Sequence, residues 1–184
     1  AALFIGGAYL QQINPMLYSK AKSYTLKGRK WLENRVDKLI AIDGSFSQHS
    51  VNYHRLMLDT LSFCEFWRKK LNQEEFSNLF YKKAESATLW LYNLTDNTTG
   101  KAVNLGANDG ALLNNLGSIN YRDFRSSLQL SSAIFLKNPL FEEGPWNESL
   151  WWFNIKRNTY NNAFKPINKV FASGYVRMNG SSSW

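Results

Sequence analysis

The sequence predicts a mainly α-helical fold, and three observations indicate it. Apolar residues recur at spacings of three or four in several segments, which is the period of an amphipathic helix. Polar loops rich in Gly, Asn and Asp separate these segments. The chain of 184 residues is 44% hydrophobic and 15% aromatic, which excludes a disordered protein and suits roughly one domain.

Six helices are predicted, the last of them short and aromatic. Their ranges are 1–14, 23–40, 50–69, 73–94, 121–137 and 148–157. The segment 50–69 is the most regular, because Met57, Leu61 and Cys64 recur on one face. After Pro166 the pattern changes to VFASGYVRM, which is typical of a strand. We therefore divide the chain into a helical part, 1–165, and a β part that begins at 166 and runs to 184.

The charge of the chain favours a polyanionic partner. Lys and Arg exceed Asp and Glu by 22 to 14, which gives a net charge of +8. Nucleic acid and acidic polysaccharide both fit this charge, and a nucleic-acid binder would show strongly salt-dependent binding. The cations are scattered, however, and no DNA- or RNA-binding motif is recognisable, so we expect no nucleic-acid partner.

Cysteine content and hydropathy exclude two further classes. The single Cys64 cannot form an intramolecular disulfide or a Cys-based zinc site, and its place on an apolar helix face predicts a buried small hydrophobe. No apolar run approaches the roughly 20 residues of a membrane-spanning helix. We expect no membrane span and no metal or other cofactor in this chain.

The first candidate motif lies where a loop meets the third helix. The segment DGSFSQHSVNYHR holds both histidines of the chain, and Asn52, Tyr53, His54 and Arg55 follow one another at the junction. A tyrosine can act as a general acid or base if a neighbouring cation, here His54 or Arg55, lowers its pKa. From the residues alone, a structural role is favoured, in which Tyr53 begins the apolar face and His54 makes a structural hydrogen bond.

Two further motifs follow. The segment NLGANDGALLNNL, 104–116, predicts a tight polar turn in which Asn108 and Asp109 lie between two glycines, and Asp109 could cap a helix. It has neither the spacing of an EF-hand nor that of a phosphate loop.

In YRDFR, Arg122 and Arg125 are three apart and would be neighbours on a helix, where they could hold a carboxylate or pair with Asp123. The tryptophans at 151 and 152 could stack on sugars, although core packing is favoured.

Together, the three motifs resemble the heparinase II/III-like family of polysaccharide lyases. They are similar in order and separation to late helices of that family, and SGYVRMNGSSSW resembles the first strand of its second domain. The resemblance implies an incomplete (α/α) toroid of helical hairpins followed by a C-terminal β-sandwich. It also implies β-elimination on an anionic polysaccharide that contains uronic acid. The alternative is a non-catalytic carbohydrate-binding or assembly module of the same fold.

The resemblance assigns roles to individual residues. Tyr53 corresponds to the family's general acid, which sometimes also acts as base, and His54 becomes its supporting neighbour. The residues expected to bind substrate are Gln48, Asn52, Arg55, Asn108, Asp109, Arg122 and Arg125. An Asn-His pair before residue 1 and a His beyond residue 184 would complete the site, so we expect a fragment that is inactive alone. The family's substrates imply a periplasmic or secreted protein. The resemblance does not decide whether the remainder of the β domain binds a metal.

Overall fold

A computed structural model describes residues 1–114 and 117–178. The α-helices within these ranges are α1 Ala2–Ile13, α2 Ala21–Leu39, α3 Val51–Lys70, α4 Asn78–Asn93, α5 Arg125–Ser131 and α6 Glu148–Trp152. A π-helical turn, Ser132–Leu136, continues α5, and a 3-10 turn, Pro145–Asn147, leads into α6. The strands β1 Lys169–Val170 and β2 Val176–Arg177 pair antiparallel. The predicted mainly helical class is confirmed, together with a small β element near its C-terminal end.

Side-chain caps determine where two central helices begin. The Ser50 hydroxyl accepts a hydrogen bond from the Tyr53 N–H at 3.1 Å, and the Ser77 hydroxyl accepts one from the Phe80 N–H at 3.3 Å. Each cap satisfies a backbone N–H that has no partner inside the helix. The helix predicted from residue 73 therefore begins only at Asn78.

The last two predicted helices are shorter than their apolar patterns suggested. The helix predicted from residue 121 begins at Arg125, because the Phe124 N–H donates to the Gly100 carbonyl at 2.8 Å instead of to a helical partner. The helix predicted over 148–157 ends at Trp152. Trp151 and Trp152 are 66% and 69% exposed, so the prediction that they pack in the core is wrong.

The helices pack against one another in a connected set. Helix α3 contacts α1, α4 and α5, while α2 contacts α1 and α4. Helices α1 and α2 approach very closely, because Gly28 has no side chain to separate it from the backbone of Phe4. None of the described helices combines the length and apolar character needed to cross a bilayer.

Aromatic residues fill much of the core between the helices. Phe76 and Phe80 stack with ring centroids 4.3 Å apart, and Phe4 packs against Phe76 at 5.2 Å. All three side chains are almost fully buried, as is Cys64, which confirms the prediction for that thiol. Burial raises its pKa to about 11. Val51, the first residue of α3, belongs to the same core, which thereby anchors the end of the helix where the candidate site lies.

The β-hairpin packs on this helical core. Phe171 is 2% exposed, and the Tyr175 ring lies edge-on to Trp90 at 5.4 Å. Asp43, in the loop before α3, accepts hydrogen bonds from the N–H and hydroxyl of Ser173 at 2.8 and 2.7 Å. The division at residue 166 stays a prediction, and residues 179–184 lie outside the described ranges.

Candidate active site at the start of helix α3

Backbone contacts bring two of the predicted motifs together. The loop around residues 104–111 crosses the start of α3, where the Val51 N–H donates to the Leu105 carbonyl at 3.0 Å. The Ser50 hydroxyl donates to the Ala107 carbonyl at 2.6 Å. Gly106, at φ +74°, lies against the backbone of His49, where any side chain would overlap the His49 carbonyl. The loop therefore carries Asp109 to the side chains that α3 presents.

Tyr53 and Asp109 form the centre of the site. The Tyr53 hydroxyl donates to Asp109 Oδ2 at 2.7 Å, and the Asn52 amide lies 3.4 Å from Asp109 Oδ1. This hydrogen bond and the negative charge of Asp109 raise the pKa of Tyr53, and the same bond lowers the pKa of Asp109. The expectation that a cation lowers the pKa of this phenol is wrong, because its partner is a carboxylate. Tyr53 therefore stays protonated and can donate a proton. Asp109 caps no helix; its Oδ1 instead accepts from the Ala111 N–H at 3.0 Å.

His54 points into the core. It is fully buried, stacks on Trp90 at 4.6 Å and bonds the Ala87 carbonyl through Nε2 at 2.9 Å. Burial lowers the pKa of His54 to about 4, so the ring is neutral at pH 7. From this position His54 cannot contact a substrate, and a supporting role behind Tyr53 stays a prediction.

Arg55 is also buried, and its guanidinium connects Asn52 to the segment that carries Tyr121. Its guanidinium donates to Asn52 Oδ1 at 2.8 Å and to the Tyr121 carbonyl at 2.6 Å. It lies between the rings of Tyr121 and Phe124, at 4.5 and 4.3 Å from their centroids. Because Arg55 is 1% exposed, it orients Asn52 and does not reach solvent.

A polar pocket of about 230 Å³ opens beside Asn52. Tyr121 supplies a phenol at its wall, 2.8 Å from Asn52 Oδ1 and 2.5 Å from Asn108 Oδ1. A phenol carries one proton, so one of these two amides accepts it at a time. Arg122 and Lys101 line the same pocket. The structure thus brings Asn52, Asn108 and Arg122 into one pocket, and their role in binding substrate stays a prediction.

Tyr121 and Lys101 are site residues that the sequence analysis missed. Tyr121 belongs to the YRDFR motif, and its position directly before the candidate residue Arg122 could have indicated it. Lys101 stands in a polar loop without periodicity, so nothing local distinguishes it from other surface lysines.

Gln48 lies on the other side of Tyr53. Both line a second, more apolar groove of about 350 Å³ between α2 and α3, together with Arg35. The ring of Tyr53 thus lines this groove, while its hydroxyl is bonded to Asp109, which also lies 3.4 Å from the Asn52 amide in the lining of the polar pocket.

Arg125 is separated from this cluster. It forms an ion pair with Asp123 at 2.6 Å and lies 3.8 Å over the Trp146 ring. Arg122 precedes α5, so the two arginines are not neighbours on one helix. They therefore do not form the predicted paired site for a carboxylate. Arg125 follows the alternative, pairing with Asp123.

The described residues give no metal site, and comparison with known proteins gives no family. Across residues 1–114 and 117–178, no group of three or more His, Cys, Asp or Glu side chains is placed to hold a metal ion. Comparison of the chain with protein-family models, with curated proteins and with solved structures finds no match.

Proposed function

We propose that this chain is the part of a polysaccharide lyase that supplies the general acid. The reaction is β-elimination at a uronic acid in an anionic polysaccharide, and the acid is Tyr53. The observation that supports the proposal is the protonated Tyr53 hydroxyl, which is linked through Asp109 and Asn52 to a pocket lined by amides and cations. The resemblance in the three motifs supports the family, together with the toroid and β-sandwich architecture that it implies.

The chemistry of the reaction explains why a protonated tyrosine suits it. A base removes the C5 proton of the uronate, the electron pair forms the C4–C5 double bond, and the bond from C4 to the leaving oxygen breaks. The leaving oxygen is a stronger base than a tyrosinate, so it takes the Tyr53 proton even though the pKa of Tyr53 is raised. In the resting site Asp109 holds that hydroxyl, and substrate must draw it away.

The remaining chemistry needs groups that the resemblance assigns outside residues 1–184. The developing charge on the uronate carboxylate must be stabilised, and a base must receive the C5 proton. The family's Asn and His would neutralise that carboxylate, and we propose that the base also lies outside this chain, because Asp109 keeps Tyr53 protonated. We therefore propose that the 184 residues alone are inactive, and that the protein acts on polymers in the periplasm or outside the cell.

A binding module is the second candidate, and the Tyr53–Asp109 pair favours it. A carboxylate beside the acid repels an anionic substrate and makes Tyr53 a weaker acid than an unpaired tyrosine. The exposed Trp151 and Trp152 are suited to stacking on sugars without any chemistry.

The products of the natural protein that carries this chain decide between these candidates. Incubation with a panel of uronate polymers, followed by mass spectrometry, measures whether cleavage adds water. Elimination breaks each glycosidic bond without water, and one fragment gains a double bond that absorbs ultraviolet light. Products with one water per cleavage would contradict a lyase, and binding without cleavage of any polymer would favour the binding module.

A further inference from the structure

We propose that the pocket beside Asn52 binds an anionic sugar unit next to the one that reacts, and that Lys101 and Arg122 hold its carboxylate or sulfate group. This inference rests on the proposed function for its polymer, but it concerns a separate subsite and a residue, Lys101, to which the resemblance assigns no role. It is tested by binding, so that it can fail independently of catalysis.

Backbone pairing joins the two segments that carry these cations. Lys101 and Asp123 form an antiparallel bridge, and the Phe124 N–H donates to the Gly100 carbonyl at 2.8 Å. This pairing joins the short segments that carry Lys101 and Arg122, so both residues line the same pocket. The backbone thus holds together the two segments from which these side chains extend.

The charges of this pocket are not neutralised by neighbours. Among the described residues, the pocket lining contains two cations and no carboxylate, and neither Lys101 nor Arg122 makes an ion pair. The acid that follows Arg122, Asp123, accepts three hydrogen bonds of 2.6 to 3.1 Å from the Arg125 guanidinium. An anion entering the pocket would thus meet two available positive charges.

The remaining lining fits a sugar. The Asn104 and Asn108 amides and the Tyr121 hydroxyl offer donors and acceptors for sugar hydroxyls, while Phe124 gives an apolar wall. The volume of about 230 Å³ lies below the range of drug-sized ligands, which suits a single sugar unit. The Asn52 amide lies 3.4 Å from Asp109 and so connects the pocket to Tyr53.

Binding to defined polymers tests this subsite. The Tyr53→Phe protein is titrated with alginate, which carries carboxylates only, with heparan sulfate, which carries both groups, and with neutral dextran. The double variant Lys101→Ala/Arg122→Ala is compared with Lys27→Ala/Lys30→Ala, which removes the same charge from exposed positions on α2. Circular dichroism of each variant confirms folding.

We expect the pocket variant to bind at least one anionic polymer about ten-fold more weakly, which corresponds to about 1.4 kcal/mol. The control variant should change affinity less than three-fold. Loss for alginate assigns the subsite to carboxylates, and loss for heparan sulfate alone assigns it to sulfates. An equal loss in both variants, no loss in the pocket variant, or no preference for anionic polymers over dextran would overturn the proposal. The product analysis of unsubstituted protein then tests catalysis separately.

Discussion

The hydrogen bond between Tyr53 and Asp109 determines what the candidate site can do. A phenol 2.7 Å from a carboxylate keeps its proton, because losing it would leave two adjacent negative charges. The site therefore favours Tyr53 as an acid over Tyr53 as a base.

Removing the Asp109 charge should lower the pKa of Tyr53. In Asp109→Asn the hydroxyl keeps a possible acceptor but loses the negative neighbour, so its pKa moves back towards 10. NMR titration of ring-labelled tyrosines measures the shift, with Tyr53→Phe to assign the signal. Asp37→Asn, an exposed acid on α2, is the control for charge alone and should leave Tyr53 unchanged. An unchanged Tyr53 pKa in Asp109→Asn would contradict the pairing.

Two buried titratable groups lie behind the site on α3, and their effects oppose each other. Burial raises the pKa of Asp59 to about 7, although Ser127, Arg55 and Asn114 act in the opposite direction. Burial lowers the pKa of His54 to about 4. From about pH 4 to 7 the folded state holds an extra proton on Asp59, so stability falls as pH rises. From about pH 4 to 6.5 the folded state lacks a proton that the unfolded state carries on His54, so stability rises with pH.

In Asp59→Asn, the pH dependence of the free energy of unfolding should therefore reveal the contribution of His54. In the unsubstituted protein the two slopes largely cancel between about pH 4 and 6.5. Without Asp59, the free energy of unfolding should rise over this window by up to about 1.4 kcal/mol per pH unit. Urea unfolding at closely spaced pH values measures this slope. Parallel profiles for the two proteins would contradict the ionisation assigned to Asp59.

At the scale of elements, the contact between α1 and α2 depends on a glycine. A side chain at Gly28 would overlap the backbone of Phe4, and backbone cannot move aside without separating the helices. Gly28→Ala should therefore destabilise the protein by about 1–3 kcal/mol, despite the better helix propensity of alanine. Gly6→Ala is the matched control, because Gly6 has open space around it and should gain up to about 1 kcal/mol. Chemical denaturation measures both, and equal effects would contradict this helix contact.

The loop that carries Asp109 has a similar requirement. Gly106 and Gly110 both have positive φ, at +74° and +79°, but only Gly106 lies against other backbone, that of His49 and Ser50. Gly106→Ala should destabilise the protein more than Gly110→Ala, which bears only the conformational cost of about 1–2 kcal/mol. It should also return the pKa of Tyr53 towards 10, because the loop no longer holds Asp109. The same unfolding and NMR measurements check both effects, and a retained Tyr53 shift in Gly106→Ala would contradict the role of this glycine.

For the molecule as a whole, the sequence was informative where structure is local. The 3.6-residue period predicted α2 to α4 because each buries one apolar face, and the change after Pro166 predicted the β element. The pairing of Tyr53 with Asp109 joins residues 56 positions apart, and no periodic pattern reports such a contact. The same reason explains why the carboxylate partner of Tyr53 was missed and why Lys101 went unnoticed.

Predictions of a helix start and of burial were also wrong where contacts between distant segments decided the outcome. The backbone of Phe124 pairs with Gly100, so the helix predicted from 121 starts at Arg125 and the two arginines separate. The aromatic run at 151 and 152 suggested core, but α6 ends at the surface. Composition alone could not reveal either outcome, because both depend on which distant segments meet.

The most direct test of the central claim compares the natural protein that carries this chain with its Tyr53→Phe variant. Both are incubated with the uronate polymers, and the ultraviolet absorbance of the unsaturated product is followed, with Tyr24→Phe as a control for loss of a surface hydroxyl. The account predicts product from the natural protein and the control, and a loss of at least a hundred-fold in Tyr53→Phe, as expected for a general acid. Undiminished product from Tyr53→Phe would contradict the role of Tyr53 as the proton donor.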